Sequence, residues 1–190
     1  KGIFVSESHY LISLLETVQY DTIYHEHLRY YSLNSLKNLF SQHGLEIIKA
    51  KKIPTHGGSI RVYAACKDQY PLHHSVKEIL DQEPQGDRLS HALSEFKQKV
   101  LNSKLQLLSI VNNLKNQGKT ICAISAPSRA STLVSYVGLN DGIIDFVAEI
   151  KGSLKIGKYM PGTLIPIINQ EDALFGDKQP DYALVLSWHI

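Results

Sequence analysis

Short apolar runs alternate with longer mixed segments in the last third of the chain, and this pattern restricts the possible folds most. Each run is about five residues long and rich in β-branched side chains. Such runs, separated by crossover segments, are typical of a parallel sheet covered by helices. The predicted strands are Ile121–Ser125, Phe146–Ile150, Leu164–Ile168 and Ala183–Ser187, with a helix near Ala130–Val137.

The beginning of the chain predicts a different arrangement. Ile3–Glu7 is a short apolar strand, and Ser32–Gly44 has the cap, apolar periodicity and terminal glycine of a helix. Leu45–Ile53 and Ser59–Lys67 are strand-like and are joined by a turn rich in glycine and proline. The predicted order is therefore strand, helix and antiparallel strand pair.

A long helix is predicted between these regions, over Asp87–Asn116. Its apolar residues recur at helical spacing, and Gly118 ends it. The pattern indicates a helix that packs one face on a neighbour, with a dimerising coiled coil as the alternative. Gln69–Gly86 changes composition, so we predict a first domain over 1–68, a linker and long helix over 69–117, and a second domain over 118–190.

Composition limits the function classes. The chain has 190 residues, a formal net charge of +2 and scattered Lys and Arg, which argues against a nucleic-acid partner. No apolar run is long enough to span a membrane, and no signal peptide is present, so we expect a cytoplasmic protein. Cys66 and Cys122 are expected to be buried free thiols. Because the chain begins with Lys1 and not Met, we expect a piece of a longer protein.

The densest polar constellation is Tyr24-His25-Glu26-His27. A phenol, a carboxylate and imidazoles can supply a general acid, a general base and an orienting partner. In an extended segment Tyr24 and Glu26 face one way, whereas a helical turn puts Tyr24 and His27 on one face. The alternative is a polar surface turn. A metal site in which His56 or the His73-His74 pair joins His25 and His27 is disfavoured, because the sequence has no HExxH or CxxC motif.

The turn between the paired strands is a second candidate site. Gly57 and Gly58 would let a ligand approach the backbone closely, and His56 and Arg61 could contact phosphate or sugar oxygens. An ordinary hairpin loop explains the same residues.

Two further candidates follow predicted strands of the parallel sheet, where ligands of such sheets bind. Ser128 and Arg129 stand at the start of a helix, where free N–H groups attract anions. Lys155 and Tyr159 stand on a glycine-rich loop that could hold a diphosphate or stack on a ring. The end of the last strand, Trp188–His189, belongs to the same edge. A plain connection and a solvated loop are the alternatives, and no dinucleotide is indicated because GxGxxG is absent.

Taken together these segments resemble the C-terminal portion of the three-part sugar C-methyltransferases of bacterial deoxysugar pathways. The resemblance covers nearly the whole chain, and the two motifs around Tyr24 and His56 are specific in combination. The matching segments are Tyr20–His27, Tyr31-Ser32, His56–Arg61, Ala126–Arg129, Lys155–Gly162, Ile165–Ile167 and Leu186–Trp188.

The resemblance implies an α/β fold: the tail of a class I methyltransferase domain, then a Rossmann-like parallel domain, linked by the long helix. It implies S-adenosylmethionine-dependent methylation at carbon 3 of a nucleotide-linked 4-keto-deoxysugar. The main site for S-adenosylmethionine would lie outside this chain, and zinc would belong only to an N-terminal module that is also outside it. The oligomeric state is not implied.

The resemblance also implies roles for individual residues. Tyr24 and His27 would be the acid and base, and Glu26 would orient or tune His27. The residues that would position the nucleotide-sugar are His56, Gly57, Gly58, Arg61, Ser128, Arg129, Lys155 and Tyr159. The chain departs from the family at Ser125 and Ala130, which replace glycines, and at Arg129, which replaces a lysine. A non-catalytic module that binds a nucleotide-sugar or a partner is the alternative from another functional class.

Overall fold

A computed structural model describes residues 2–175 and 179–188, so the predicted role of His189 lies outside the described residues. The chain divides into two compact units. Unit 1 comprises Lys1–Gln19 and His27–Lys99, and unit 2 comprises Tyr20–Glu26 and Val100–Ile190. This division into compact units does not test the predicted domain limits at 68 and 117, which stay a prediction.

Unit 1 contains a three-stranded antiparallel sheet. Its strands are β1 (Phe4–His9), β2 (Leu45–Ile53) and β3 (Ser59–Cys66), in the spatial order β1-β3-β2. The inward positions of β3 alternate along the strand, and Ile60, Val62 and Ala64 are all fully buried. The predicted pairing of the last two strands is confirmed.

The helices of unit 1 are α1 (Leu11–Glu16), α2 (Leu33–Ser41) and α3 (His74–Gln82). Of the two caps that the sequence allows, Ser32 and Asn34, Ser32 caps α2: its hydroxyl accepts a hydrogen bond from the Ser35 N–H at 3.1 Å. Helix α3 lies within the predicted linker. Its apolar signal is short, since only Val76 and Ile79 are buried, and flanking prolines hide it in the sequence.

Buried Glu83 ties these elements together. Its carboxylate accepts hydrogen bonds from the backbone N–H groups of Leu33 at 2.5 Å and Asn34 at 2.9 Å, at the start of α2. The Tyr10 hydroxyl also donates to it at 3.0 Å. Burial and the Glu83 charge raise the pKa of Tyr10 far above its usual range, so this phenol stays a donor.

Unit 2 contains a four-stranded parallel sheet, as predicted. Its strands are β4 (Ile121–Ile124), β5 (Phe146–Glu149), β6 (Ile167–Asn169) and β7 (Tyr182–Val185), in the order β6-β5-β4-β7. The helices α5 (Ala130–Val137) and α6 (Gln170–Phe175) follow β4 and β6. With the sheet of unit 1, this arrangement confirms the predicted α/β class.

Strand β6 begins three residues later than predicted. The preceding segment pairs with its own loop instead: the Met160 N–H donates to the Ile165 carbonyl at 2.9 Å, and the Ile167 N–H donates to the Lys158 carbonyl at 2.8 Å. Ile165 is buried by this loop, so its apolar character in the sequence reflects core packing.

The long helix α4 spans Asp87–Asn116, as predicted. In unit 2 its Val111 joins the core beneath the parallel sheet, with Leu107, Leu108 and Leu114 packed partly against it. Among the described helices, none combines the length and apolar character that a membrane span needs.

The two cysteines differ in exposure. Cys122 is buried in β4, and burial raises its thiol pKa. Cys66 is exposed at the end of β3, so the expectation that both thiols are buried is wrong for Cys66. Both are free thiols.

Candidate functional site

The Tyr24–His27 segment is divided between the two units. Tyr24 and Glu26 belong to unit 2, and His27 belongs to unit 1. The Tyr24 hydroxyl donates to the Glu26 carboxylate at 3.1 Å, which is the pairing expected for an extended segment. His25 is mostly exposed beside Glu26. The predicted pairing of Tyr24 with His27 stays a prediction.

His27 meets a residue that the sequence did not single out. Its Nε2 atom lies 3.2 Å from Nε2 of His9, and the two ring centroids are 4.2 Å apart. A hydrogen bond between two such nitrogens needs one to donate and the other to accept. At least one of these imidazole nitrogens is therefore unprotonated.

Other aromatic rings surround His9. The Tyr30 ring lies 6.3 Å and the His56 ring 6.5 Å from it, centroid to centroid. The end of β1 and the turn after β2 thus bring His9 and His56 together in unit 1. The sequence missed His9 because the predicted first strand stopped at Glu7.

The turn that carries Gly57 and Gly58 is tightly packed. Both glycines have a positive φ, +85° and +124°. A Cβ on Gly57 would overlap the Gln19 side chain, and a Cβ on Gly58 would lie 2.5 Å from the Ser13 Cβ. These close approaches are made by side chains of unit 1 itself, which accounts for both glycines without a ligand.

Arg61 is paired across the sheet with Glu7. The two residues are directly opposite in the β1–β3 register, and their side chains form an ion pair at 2.7 Å. The Thr55 hydroxyl donates to the other Glu7 oxygen at 3.1 Å. The Arg61 side chain is still 39% exposed, so this cation can contact solvent.

Arg129 is buried and bound to Asp21. Its Nε donates at 2.9 Å and its terminal nitrogen at 2.6 Å to the two oxygens of the Asp21 carboxylate. The indole N–H of Trp188 donates to Asp21 at 2.9 Å, and the guanidinium lies 4.9 Å from the centre of the indole. Arg129 is 5% exposed, and its predicted contact with substrate stays a prediction.

Three of the predicted substrate-binding residues line one cavity in unit 2. Ser128, Lys155 and Tyr159 lie around a space of about 210 Å³. Lys158, Ser131, Met160 and Ile167 complete much of its wall. Ser128 follows the carboxyl end of β4, and Lys155 and Tyr159 follow that of β5, where the sequence predicted ligand binding.

Lys155 is held at this cavity by the sheet. Its ammonium donates to the Ala126 carbonyl at 2.7 Å and lies 3.8 Å from the Glu149 carboxylate. Glu149 is buried at the end of β5 and accepts a hydrogen bond from the Ala126 N–H at 3.0 Å. The Lys155 side chain is 48% exposed, so its charge remains accessible.

The backbone before this cavity is strained at one residue. Ser125 follows β4 with a φ of +65°, a conformation that favours glycine. The resemblance implied a glycine at this position, and the positive φ is a conformational reason for one.

No group of three or more His, Cys, Asp or Glu side chains suited to a metal ion occurs within residues 2–175 and 179–188. The β4–α5 connection has no glycine-rich motif, as the sequence already showed.

Comparison with known proteins identifies the family. The model of the C-methyltransferase C-terminal domain matches residues 54–190. The chain belongs to this family. It is also 37% identical over 190 residues to the C-methyltransferase NovU of Streptomyces niveus, a match that covers 99% of this chain and 44% of that relative. The chain thus spans less than half the length of this relative, and the C-methyltransferase resemblance drawn from the sequence is confirmed.

Sequence reasoning missed several residues of these clusters. His9 and Glu149 both stand at the ends of strands, where site residues collect, and this position was the available signal. Asp21 stands in the recognised motif, but nothing in the sequence indicates its partner, 108 residues away.

Proposed function

We propose that this chain is the C-terminal part of an S-adenosylmethionine-dependent enzyme that methylates carbon 3 of a nucleotide-linked 4-keto-deoxysugar in the cytoplasm. The observation that supports it most is the match to a C-methyltransferase over 99% of this chain. The family gives the reaction class, and the motif resemblance gives the sugar.

The proton step falls to residues of this chain. Hydrogens beside a ketone are acidic because the electron pair left behind is delocalised onto oxygen, so a base of near-neutral pKa can remove one. Tyr24 and His27 are our acid/base residues. The contact between His9 and His27 supports a neutral imidazole in at least one of these two histidines, and Glu26 is hydrogen-bonded to the Tyr24 hydroxyl.

Glu26 has a revised role in this proposal. The resemblance implied that Glu26 orients His27, whereas the hydrogen bond to Tyr24 supports Glu26 as the residue that orients the phenol. His9 then orients His27. Each reacting side chain has a partner within its own unit, which restricts its rotamers.

The methyl donor supplies an electrophilic methyl group, and we place its main site in a part of the parent protein that precedes this chain. Zinc would likewise belong to an upstream module. The coverage of 44% of the relative supports a longer parent.

The cavity in unit 2 is our site for part of the nucleotide-sugar. Its volume of about 210 Å³ is below the usual range for a drug-sized ligand, so it suits a diphosphate or one sugar ring. Lys155 and Lys158 supply positive charge, and the hydroxyls of Ser128 and Ser131 can donate to phosphate oxygens. His56 and Arg61 of unit 1 are our remaining contacts to the substrate.

The alternative function, a binding module without chemistry, is also favoured by this cavity, because all its lining residues belong to unit 2. The two functions differ in one respect. An enzyme needs Tyr24 and His27, whereas a module that binds through unit 2 does not.

The test uses the full-length parent protein, methyl-labelled S-adenosylmethionine and a panel of nucleoside diphosphate 4-keto-deoxysugars. We expect label in the sugar, and a loss of about 100-fold or more in kcat for Tyr24→Phe and for His27→Asn. Binding of the sugar nucleotide should survive in both variants. Turnover that is unaffected by both substitutions would refute the catalytic roles, and binding without any methyl transfer would favour the module.

A further inference from the structure

A short segment that carries two of the proposed reacting groups is anchored in unit 2. Residues Tyr20–Glu26 group with Val100–Ile190, from which they are remote in sequence. A seven-residue segment has no core of its own, so side-chain contacts must hold it.

Asp21 is the strongest of these contacts. Its carboxylate is 3% exposed and receives two hydrogen bonds from Arg129 and one from Trp188. Three charge-assisted or indole donors on one carboxylate fix its position and direction. The Arg129 charge is compensated by Asp21, and its guanidinium carbon lies 4.9 Å from the centre of the indole ring.

Two weaker contacts lie on either side of Asp21. The Thr132 hydroxyl donates to the Ile23 carbonyl at 3.0 Å, and the Tyr20 ring meets the Tyr136 ring at 5.3 Å. The backbone of Tyr24 comes next, and its N–H donates to the Thr22 carbonyl at 3.0 Å. Tyr24 therefore follows directly after a stretch that α5 and Trp188 hold in place.

We infer that Arg129, with Trp188, is a positioning residue for Tyr24 and Glu26 and acts through Asp21, not a ligand of the substrate's phosphates. This inference rests on the proposed function, which gives Tyr24 and Glu26 their roles in catalysis. The geometry assigns the binding of the substrate's phosphates in unit 2 to Lys155, whose ammonium is accessible. Arg129 is already paired with the Asp21 carboxylate.

Asp21→Asn separates the two roles of Arg129. The amide keeps the size of Asp21 but removes its charge. If Arg129 bound the substrate, its release from Asp21 would preserve or improve substrate binding. If Arg129 positions the segment, Asp21→Asn and Arg129→Gln should have the same effect. We expect both to lower kcat about tenfold or more and to change KM for the sugar nucleotide little.

Two further variants guard against unfolding. Thr132→Val removes only the hydroxyl that holds Ile23, and it should lower kcat in the same direction but less. Asp81→Asn makes the same chemical change at an exposed pair with Lys77 in unit 1, and it should leave kcat unchanged.

A second measurement is independent of activity. Trp188 is the single tryptophan of these 190 residues, so the fluorescence of this chain reports directly on the contacts among Asp21, Arg129 and Trp188. We expect Asp21→Asn and Arg129→Gln to shift its emission and to speed amide exchange in residues 20–26 by about tenfold or more, with β4 still protected. Asp81→Asn should change neither signal.

Three results would overturn the inference. The first is a raised KM with unchanged kcat in Arg129→Gln. The second is an unchanged kcat in both Asp21→Asn and Arg129→Gln when the parent enzyme itself is active. The third is exchange in residues 20–26 that does not respond to either variant. If the parent transfers no methyl group at all, the proposed function fails, and the exchange measurement still tests whether Arg129 holds the segment.

Discussion

The chain has two arginine–carboxylate pairs with similar bonding and opposite surroundings. In unit 1, Arg61 meets Glu7 on the surface of the sheet, and both side chains are about one-third exposed, at 39% and 32%. In unit 2, Arg129 meets Asp21 with only 6% and 4% of the side chains exposed. The sequence predicted both arginines to bind substrate.

Exposure separates what the two pairs can do. A surface pair exchanges readily with water and contributes little to stability, so Arg61 can leave Glu7 for a phosphate or sugar at small cost. A buried pair has lost its hydration, and removing one partner leaves an uncompensated charge. Arg129 therefore has a structural role in our proposal, whereas Arg61 remains a candidate ligand of the substrate.

The largest expected effect is in the buried pair. Arg129→Ala or Asp21→Ala should lower the free energy of unfolding of unit 2 by about 3–5 kcal/mol, because each leaves one buried charge unpaired. Urea denaturation followed by Trp188 fluorescence measures it. The double variant Asp21→Leu with Arg129→Met should regain much of the loss. A loss under about 1 kcal/mol in both single variants would contradict a dehydrated pair.

The next effect concerns the turn beside Arg61. Gly58→Ala should destabilise unit 1 by about 3 kcal/mol, because the added Cβ meets Ser13 in a backbone conformation with a φ of +124°. Gly86→Ala is the matched control in the same unit. Its φ is +55° with nothing within 4 Å, so it should cost only about 1 kcal/mol. Thermal denaturation measures both variants. Equal losses of stability would show that the contact with Ser13 does not add to the cost of Gly58→Ala.

A smaller effect of opposite sign is expected in unit 2. Ser125→Gly should stabilise by about 1 kcal/mol, because it removes the strain of a left-handed residue after β4. Ser128→Gly, at an exposed residue three positions later, should not stabilise. A loss of stability in Ser125→Gly would mean that the serine side chain contributes more than the strain costs.

Local patterns in the sequence predicted the elements around these pairs well. The observed bounds of β2, α4 and α5 match the predicted ones, because apolar periodicity and glycine stops are properties of neighbouring residues. Helix α3 was missed because it has few apolar residues. Strand β6 was predicted to begin too early because the apolar residues before it belong to a loop.

The contacts that build the candidate site were not predictable in this way. His9 meets His27 across 18 residues, and Asp21 meets Arg129 across 108. Such pairings depend on how strands are ordered and how a short segment docks, and neither leaves a periodic signal. Lys155 and Ser128 were found because the carboxyl ends of parallel strands share one edge of a sheet.

The smallest effect is expected at the exposed pair, where a pKa is a sharper measurement than stability. The Arg61 guanidinium and the Thr55 hydroxyl hold the pKa of Glu7 below its ordinary value of 4.5. Folding therefore gains from this carboxylate above about pH 4.5, and the gain fades as the pH falls through the lowered folded pKa.

Arg61→Gln should return the Glu7 pKa toward its ordinary value and leave the denaturation midpoint at neutral pH almost unchanged. Side-chain carboxyl NMR titration of the two proteins measures the pKa. A large fall in stability with Arg61→Gln would make this pair as structural as the one in unit 2, and Arg61 would then lose its place among the substrate ligands. An unshifted Glu7 pKa would show that Arg61 spends little time on Glu7, which leaves its charge still freer to meet a phosphate.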